Sequence, residues 1–245
     1  MGRFKSYFGP GIFVLTALLI CMSFVIAMPA SSKKPVFAEA KKTMPSPAIE
    51  SRMALYEKLN LDSLGLSKSA FEHAMNGYNQ LDSKGRLRND DIISILDFSL
   101  PSGKKRLFVI NLETGELLFN TYVSHGRNSG QAMATVFSNQ PNSYKSSLGF
   151  YVTEETYNGK NGYSLRLNGE ESGFNSNALA RGIVMHSASY ADESIVERQG
   201  FIGRSQGCPA VPKNVHRQII ETIKGGSCLF IYSDNNYYLS HSKLA

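Results

Sequence analysis

The spacing of hydrophobic positions changes twice along the chain. From Phe8 to Ser32 apolar residues run almost unbroken and without charge, behind Arg3 and Lys5. A run of this kind after basic residues predicts export, either as a signal peptide cut after Ala27, Ala30 or Ala38-Glu39-Ala40, or as an uncleaved membrane anchor. Residues 31–47 mix serine and lysine with Pro35, Pro45 and Pro47, a composition that buries little and breaks helices, and they read as a linker. Residues 1–40 are thus assigned to a signal peptide or N-terminal membrane anchor with linker.

Over 48–98 the spacing turns helical. Ile49, Met53, Tyr56 and Leu59 form one stripe, and Phe71, Met75 and Tyr78 form another behind a Ser69–Glu72 capping box. A third helical segment is expected at Ile92, Ile93 and Leu96, capped by Asn89 or Asp90. These stripes predict packing faces, because nothing nucleophilic or metal-binding lies among them. After Pro101-Ser102-Gly103 short β-rich runs take over and define a domain at 104–234. Leu107–Ile110 and Leu117–Val123 flank the hairpin turn Glu113-Thr114-Gly115-Glu116; further strands are expected at Gly149–Thr153, Tyr163–Leu167, Gly182–Met185 and Cys228–Tyr232. One helix interrupts them: Pro212 suits its first turn, Val215, Ile219, Ile220 and Ile223 line one face, and Gly225-Gly226 stops it. The expectation is a mostly β fold, with a small helical segment before it and a tail at 235–245.

Composition narrows the function. The 245 residues are 42% hydrophobic, enough for a core that needs no staples. The formal charge is +6, but Arg3, Lys5, Lys33 and Lys34 against Glu39 supply +3 of it, and the rest is dispersed without basic runs interleaved with aromatics. Nucleic-acid binding is therefore set aside. Of three cysteines, Cys21 lies within the apolar run behind bulky Ile20 and reads as a plain hydrophobe. Cys208 and Cys228 do not make a disulfide framework, and a bridge between them would consume the one thiol in reactive surroundings. No His-x-x-x-His, Cys-x-x-Cys or phosphate-binding glycine loop occurs, so neither a metal nor a nucleotide cofactor is expected.

The chemistry concentrates between Gly182-Ile183-Val184-Met185-His186 and Gly203-Arg204-Ser205-Gln206-Gly207-Cys208-Pro209. A thiolate is a nucleophile, and an imidazole can take its proton and return one to a leaving amine. Gly207 permits close backbone approach, so the N–H groups of Gly207 and Cys208 are candidates for an oxyanion hole. Cys228, in the alternating run Ser227-Cys228-Leu229-Phe230-Ile231, reads as a small buried hydrophobe.

Residues from about Arg106 to Ser233, roughly half the chain, resemble the murein L,D-transpeptidase catalytic-domain family, whose pattern is a histidine, a variable loop, then Ser or Thr, His, Gly, Cys. Here these positions are His186, Ser205, Gln206, Gly207 and Cys208; Thr121-Tyr122-Val123-Ser124-His125-Gly126-Arg127 is similar to the family's strand leading into a substrate loop. The resemblance implies a β-sandwich-like domain, Cys208 as nucleophile, His186 as base, and the Ser205 carbonyl orienting the imidazole. It also implies an acyl transfer on peptidoglycan stem peptides that cleaves after the third residue, releases D-Ala and passes the acyl group to an amine or to water. Gln206 replaces the pattern's histidine and cannot titrate, and Pro209-Ala210 replaces a polar or basic pair, which marks a divergent branch. Arg204, Gln206, His125, Arg127 and Ser129 are the candidate substrate-binding residues; Arg166 and Arg181 also flank the site, and Arg204 lies nearest Cys208. Stem carboxylates suit such guanidinium forks. Two other classes compete: a sortase-like protein transpeptidase, which fits Ser205 to Cys208 poorly, and a wall-binding module with an inert thiol.

Overall fold

The computed structural model describes residues 47–245. The export segment, most of the linker and Cys21 lie outside the described residues. Among those described, no helix is long and apolar enough to cross a membrane.

Two helices come first, α1 (Pro47–Lys58) and α2 (Lys68–Ser83). The expected stripe of α2 is buried, with Phe71, Met75 and Tyr78 facing the core alongside Ala70, Ala74 and Leu81. Its cap is not the expected Ser69–Glu72 box. Ser67 Oγ accepts from Ala70 N–H at 3.1 Å, two residues earlier, while Ser69 Oγ accepts from the Tyr232 hydroxyl at 3.0 Å. Gly77, in the middle of α2, brings the helix hard against the sheet: a Cβ there would lie 2.1 Å from the tip of the Phe150 ring.

The strands are β1 (Ile92–Asp97), β2 (Leu107–Asn111), β3 (Glu116–Thr121), β4 (Gly149–Gly159), β5 (Gly162–Gly169), β6 (Val184–Ser187), β7 (Ala210–Val211) and β8 (Cys228–Tyr232). They form one sheet in the order β3-β2-β1-β8-β4-β5-β6-β7. The domain is mostly sheet, as expected. The third helical segment is corrected: Ile92–Asp97 is a strand, paired antiparallel to β2 and parallel to β8. All six of its residues are buried, so the apolar run that mimics helical spacing belongs to a strand covered on both faces.

The turn after Asn111 forms where expected and closes the β2–β3 hairpin, and a turn at Gly159–Gly162 closes β4–β5. Three further helices complete the chain: α3 (Glu193–Gln199), α4 (His216–Ile223) and α5 (Asn236–His241). The expected helix is α4, with Ile219, Ile220 and Ile223 buried. Residues 235–245, read from sequence as a tail, pack on the core through Tyr238 and Leu244. Glu171 holds them there: its buried carboxylate accepts from Phe150 N–H and the Tyr238 hydroxyl, both at 2.8 Å, and from the Ser242 hydroxyl.

The sheet also closes on itself. Beyond β3 the chain reaches Ser124, which forms an antiparallel bridge with Ala210 of β7, the strand at the far end of the order. Ser124 N–H donates to Ala210 O at 2.8 Å.

Candidate active site

The closing strands also position the two candidate catalytic residues. His186 lies on β6 and Cys208 two residues before β7, and the parallel register sets His186 opposite Ala210. Strand pairing thereby places His186 and Cys208 on the wall of one cavity of about 640 Å³. The two side chains are not hydrogen-bonded to each other. Cys208 Sγ donates to Gly182 O at 3.7 Å, and His186 Nδ1 lies 2.9 Å from Ser187 O. Because a carbonyl only accepts, Nδ1 carries the proton and Nε2 keeps a lone pair.

The loop before Cys208 is shaped by Ser205. Its N–H donates to His125 O at 2.9 Å and its carbonyl accepts from Arg127 N–H at 2.7 Å. Its hydroxyl accepts from Gly207 N–H at 3.0 Å and donates to Cys208 O at 2.6 Å. Gly207 has a φ of 122°, and a Cβ there would sit 2.9 Å from Lys145 O, so the turn requires glycine. Two expectations are corrected. The Gly207 N–H is held by Ser205 and is not presented as an oxyanion donor. The imidazole is oriented by Ser187 O and not by the Ser205 carbonyl, which accepts from Arg127 N–H.

Burial sets the charge states. It pushes His186 below the usual imidazole value, against the Ser187 hydrogen bond and with a small contribution from His216. Burial also pushes the Cys208 thiol up, while the Val184 backbone amide and the Arg181 charge pull it down. At neutral pH the resting pair is therefore a thiol and a neutral imidazole. Cys228 is fully buried and a free thiol, pushed up by burial.

Arg127, Arg204 and Gln206 line the cavity with Ser205, but His125 and Ser129 do not. His125 is fully buried, with Nδ1 2.7 Å from Arg106 Nη2 and Nε2 3.3 Å from Gly130 O. Nδ1 accepts from the guanidinium, so Nε2–H donates to the carbonyl. Burial and then the neighbouring Arg106 charge bring His125 down to about 4. Ser129 is also buried, its hydroxyl accepting from Ser146 N–H at 2.9 Å. Both residues brace the loop behind the cavity rather than facing it. Arg166 lies off the cavity wall, paired with Glu155 at 2.9 Å.

The wall residues Tyr144, Lys160, Tyr190 and Lys213 were not singled out from the sequence, whereas Arg181 was noted as flanking the site and does line the wall. Arg181 clamps the 138–147 segment, donating to Ser138 O at 2.8 Å, Lys145 O at 2.7 Å, Ser143 Oγ at 3.2 Å and Ser147 Oγ. Its place five residues before His186 is the one sequence signal for it. Tyr144 has a φ of 55°, rare for a bulky residue, and its ring lies under the Arg127 guanidinium at 4.1 Å. No sequence pattern announces that conformation.

Against solved structures, the chain is similar to an L,D-transpeptidase from Mycobacterium smegmatis (13% identity, TM-score 0.38, covering 58% of this chain and 59% of that one). It is similar also to L,D-transpeptidase 3 from Mycobacterium tuberculosis (13%, TM-score 0.38, 58% and 61%). A third is an L,D-transpeptidase from Xylanimonas cellulosilytica (12%, TM-score 0.35, 58% and 60%). The chain thus spans about three fifths of the length of these structures. No curated protein matches the sequence. A family model for the L,D-transpeptidase catalytic domain matches residues 62–232, most of the chain and all eight strands, and by that match the protein belongs to the L,D-transpeptidase catalytic-domain family.

Proposed function

We propose that the protein is an exported cysteine transpeptidase acting on peptidoglycan stem peptides, with Cys208 as nucleophile and His186 as base. The observation that supports this reading is the shared cavity: a thiol and an imidazole with a free Nε2 line the same wall, on a chain of this family. Sulfur attacks the carbonyl after the third stem residue as Nε2 takes the thiol proton. The Cys208 N–H, which has no acceptor among the described residues, is the remaining backbone donor for the oxyanion. Collapse expels D-Ala, whose amine receives the proton from the imidazolium, and leaves a thioester on Cys208. An amine of a second stem then attacks the thioester. Its proton passes to His186 and on to the departing sulfur, giving a link between two third residues. The apolar run behind Arg3 and Lys5 supports delivery to the envelope, where this substrate lies.

The test is mass spectrometry of products from purified disaccharide-tetrapeptide, comparing the wild-type protein with Cys208→Ala. The expected result is D-Ala release and a crosslinked dimer, both absent with Cys208→Ala. Tripeptide and D-Ala without dimer would replace transfer by hydrolysis, an L,D-carboxypeptidase. Ligation of a protein peptide instead would make the enzyme sortase-like, and no Cys208-dependent product would overturn the reading.

A further inference from the structure

The wall around Cys208 carries five cations, Arg127, Lys160, Arg181, Arg204 and Lys213, and no aspartate or glutamate. The concentration is not a reflection of overall composition, because the whole chain has a formal charge of only +6, half of it in the first forty residues. Five cations elsewhere are neutralised locally: Arg86 pairs with Glu170, Arg88 with Glu154, Lys105 with Glu193, Arg166 with Glu155 and Lys224 with Glu221. Among the described residues none of the five wall cations has a carboxylate partner.

The five divide into two kinds. Arg181 uses both terminal nitrogens on the 138–147 segment, so it contributes a fixed positive charge rather than a fork open to a ligand. Arg127, Lys160, Arg204 and Lys213 are exposed. Arg204 donates from Nη1 to Arg127 O at 3.3 Å and Gly130 O at 3.1 Å, while Arg127 rests its guanidinium on Tyr144. Like charges gathered around one cavity repel each other, and a multiply anionic ligand relieves that repulsion as it binds.

We propose that the cavity selects its acyl donor by charge, taking a stem peptide with two or more free carboxylates in preference to the same peptide with those carboxylates amidated. The inference rests on the reading of this cavity as the donor site. Each exposed contact is weak alone, but two carboxylates shared among four exposed cations and one half-buried in the wall give about a tenfold preference. The field also raises the local concentration of an anionic donor, so the preference weakens with salt.

Calorimetric titration of Cys208→Ala protein with a tetrapeptide stem and its carboxamide counterpart tests the preference without turnover. The free-acid peptide is expected to bind about tenfold tighter at low salt. High salt should narrow the gap, and the combined exposed substitutions Arg127→Gln, Lys160→Gln and Lys213→Gln should close it. Equal affinities, tighter binding of the carboxamide, or no binding of either peptide would overturn the proposal. The same peptides given to wild-type protein separate the two readings. Charge-selective binding without D-Ala release would leave the selection standing and remove the transpeptidase function; D-Ala release from both peptides with equal kcat/KM would do the reverse.

Discussion

At the scale of single residues, Cys208 and His186 meet the cavity in their neutral forms, and this determines how each titrates. Burial raises Cys208, so alkylation by iodoacetamide should follow a thiol midpoint above the ordinary value of about 8.5. Arg181→Gln removes a charge that pulls the thiol down and should move the midpoint higher still. A midpoint well below neutrality would contradict the neutral resting pair. Because His186 does not hydrogen-bond Sγ, His186→Ala should abolish turnover yet leave the alkylation midpoint nearly in place. The imidazole acts as base only when neutral, and its lowered value puts the acidic limb of kcat/KM below about pH 6.5. Cys228→Ala should keep full activity and cost about 1 kcal/mol in urea denaturation. That Cys208 and His186 come together on one cavity wall was legible in the sequence, because residue type and motif carry it. The role of His125 was not, since it depends on Arg106 being wholly buried and hydrogen-bonding to the ring.

Among elements, legibility followed the clarity of the apolar period. α2 and α4 have distinct stripes and were visible; β1 is buried along its whole length, and such a run has no period to read. α3 has no buried residue, so only its ends mark it: the Asp192 side chain accepts from Ser194 N–H, and Gly200 closes it at a φ of 83°. Gly77 gives the sharpest test of helix packing. Alanine there should gain about 1 kcal/mol in helix propensity. It would also drive a methyl group into the Phe150 ring, which is fully buried and stacked on Phe230 at 4.0 Å and so has no room to yield. Overpacking costs about 1–3 kcal/mol, more where nothing can relax, so Gly77→Ala should lower stability. A higher melting temperature for Gly77→Ala would mean that α2 does not press on β4 as described. At the start of the same helix, Ser67→Ala should cost about 1 kcal/mol.

For the molecule as a whole, two features tie distant parts of the chain together. The first is Glu171, which binds the last residues to β4. Burial raises its carboxyl, so the native state holds a proton at a pH where the unfolded chain has lost it. Its contribution to stability is accordingly greatest below the ordinary carboxylate value and declines as pH rises through the raised one. Glu171→Ala should remove that slope and, by stranding the donors of Phe150, Tyr238 and Ser242, cost about 3 kcal/mol in denaturant titrations at acid pH. The second is the closure of the sheet at β7, where three consecutive carbonyls accept from both flanking segments: Pro209 O from His186, Ala210 O from Ser124 and Val211 O from Ala188. Cys208, the proposed nucleophile, is joined directly to the first of these acceptors. A covalent adduct on Cys208 should therefore be felt in the clasp of the barrel, and the amides of Ser124, His186 and Ala188 should exchange with deuterium as one group whose rate changes together on acylation. Independent exchange of Ser124 would show that the barrel can open without disturbing the nucleophile. Exchange in concert would make these three amides a label-free gauge of how long an acyl group stays on Cys208.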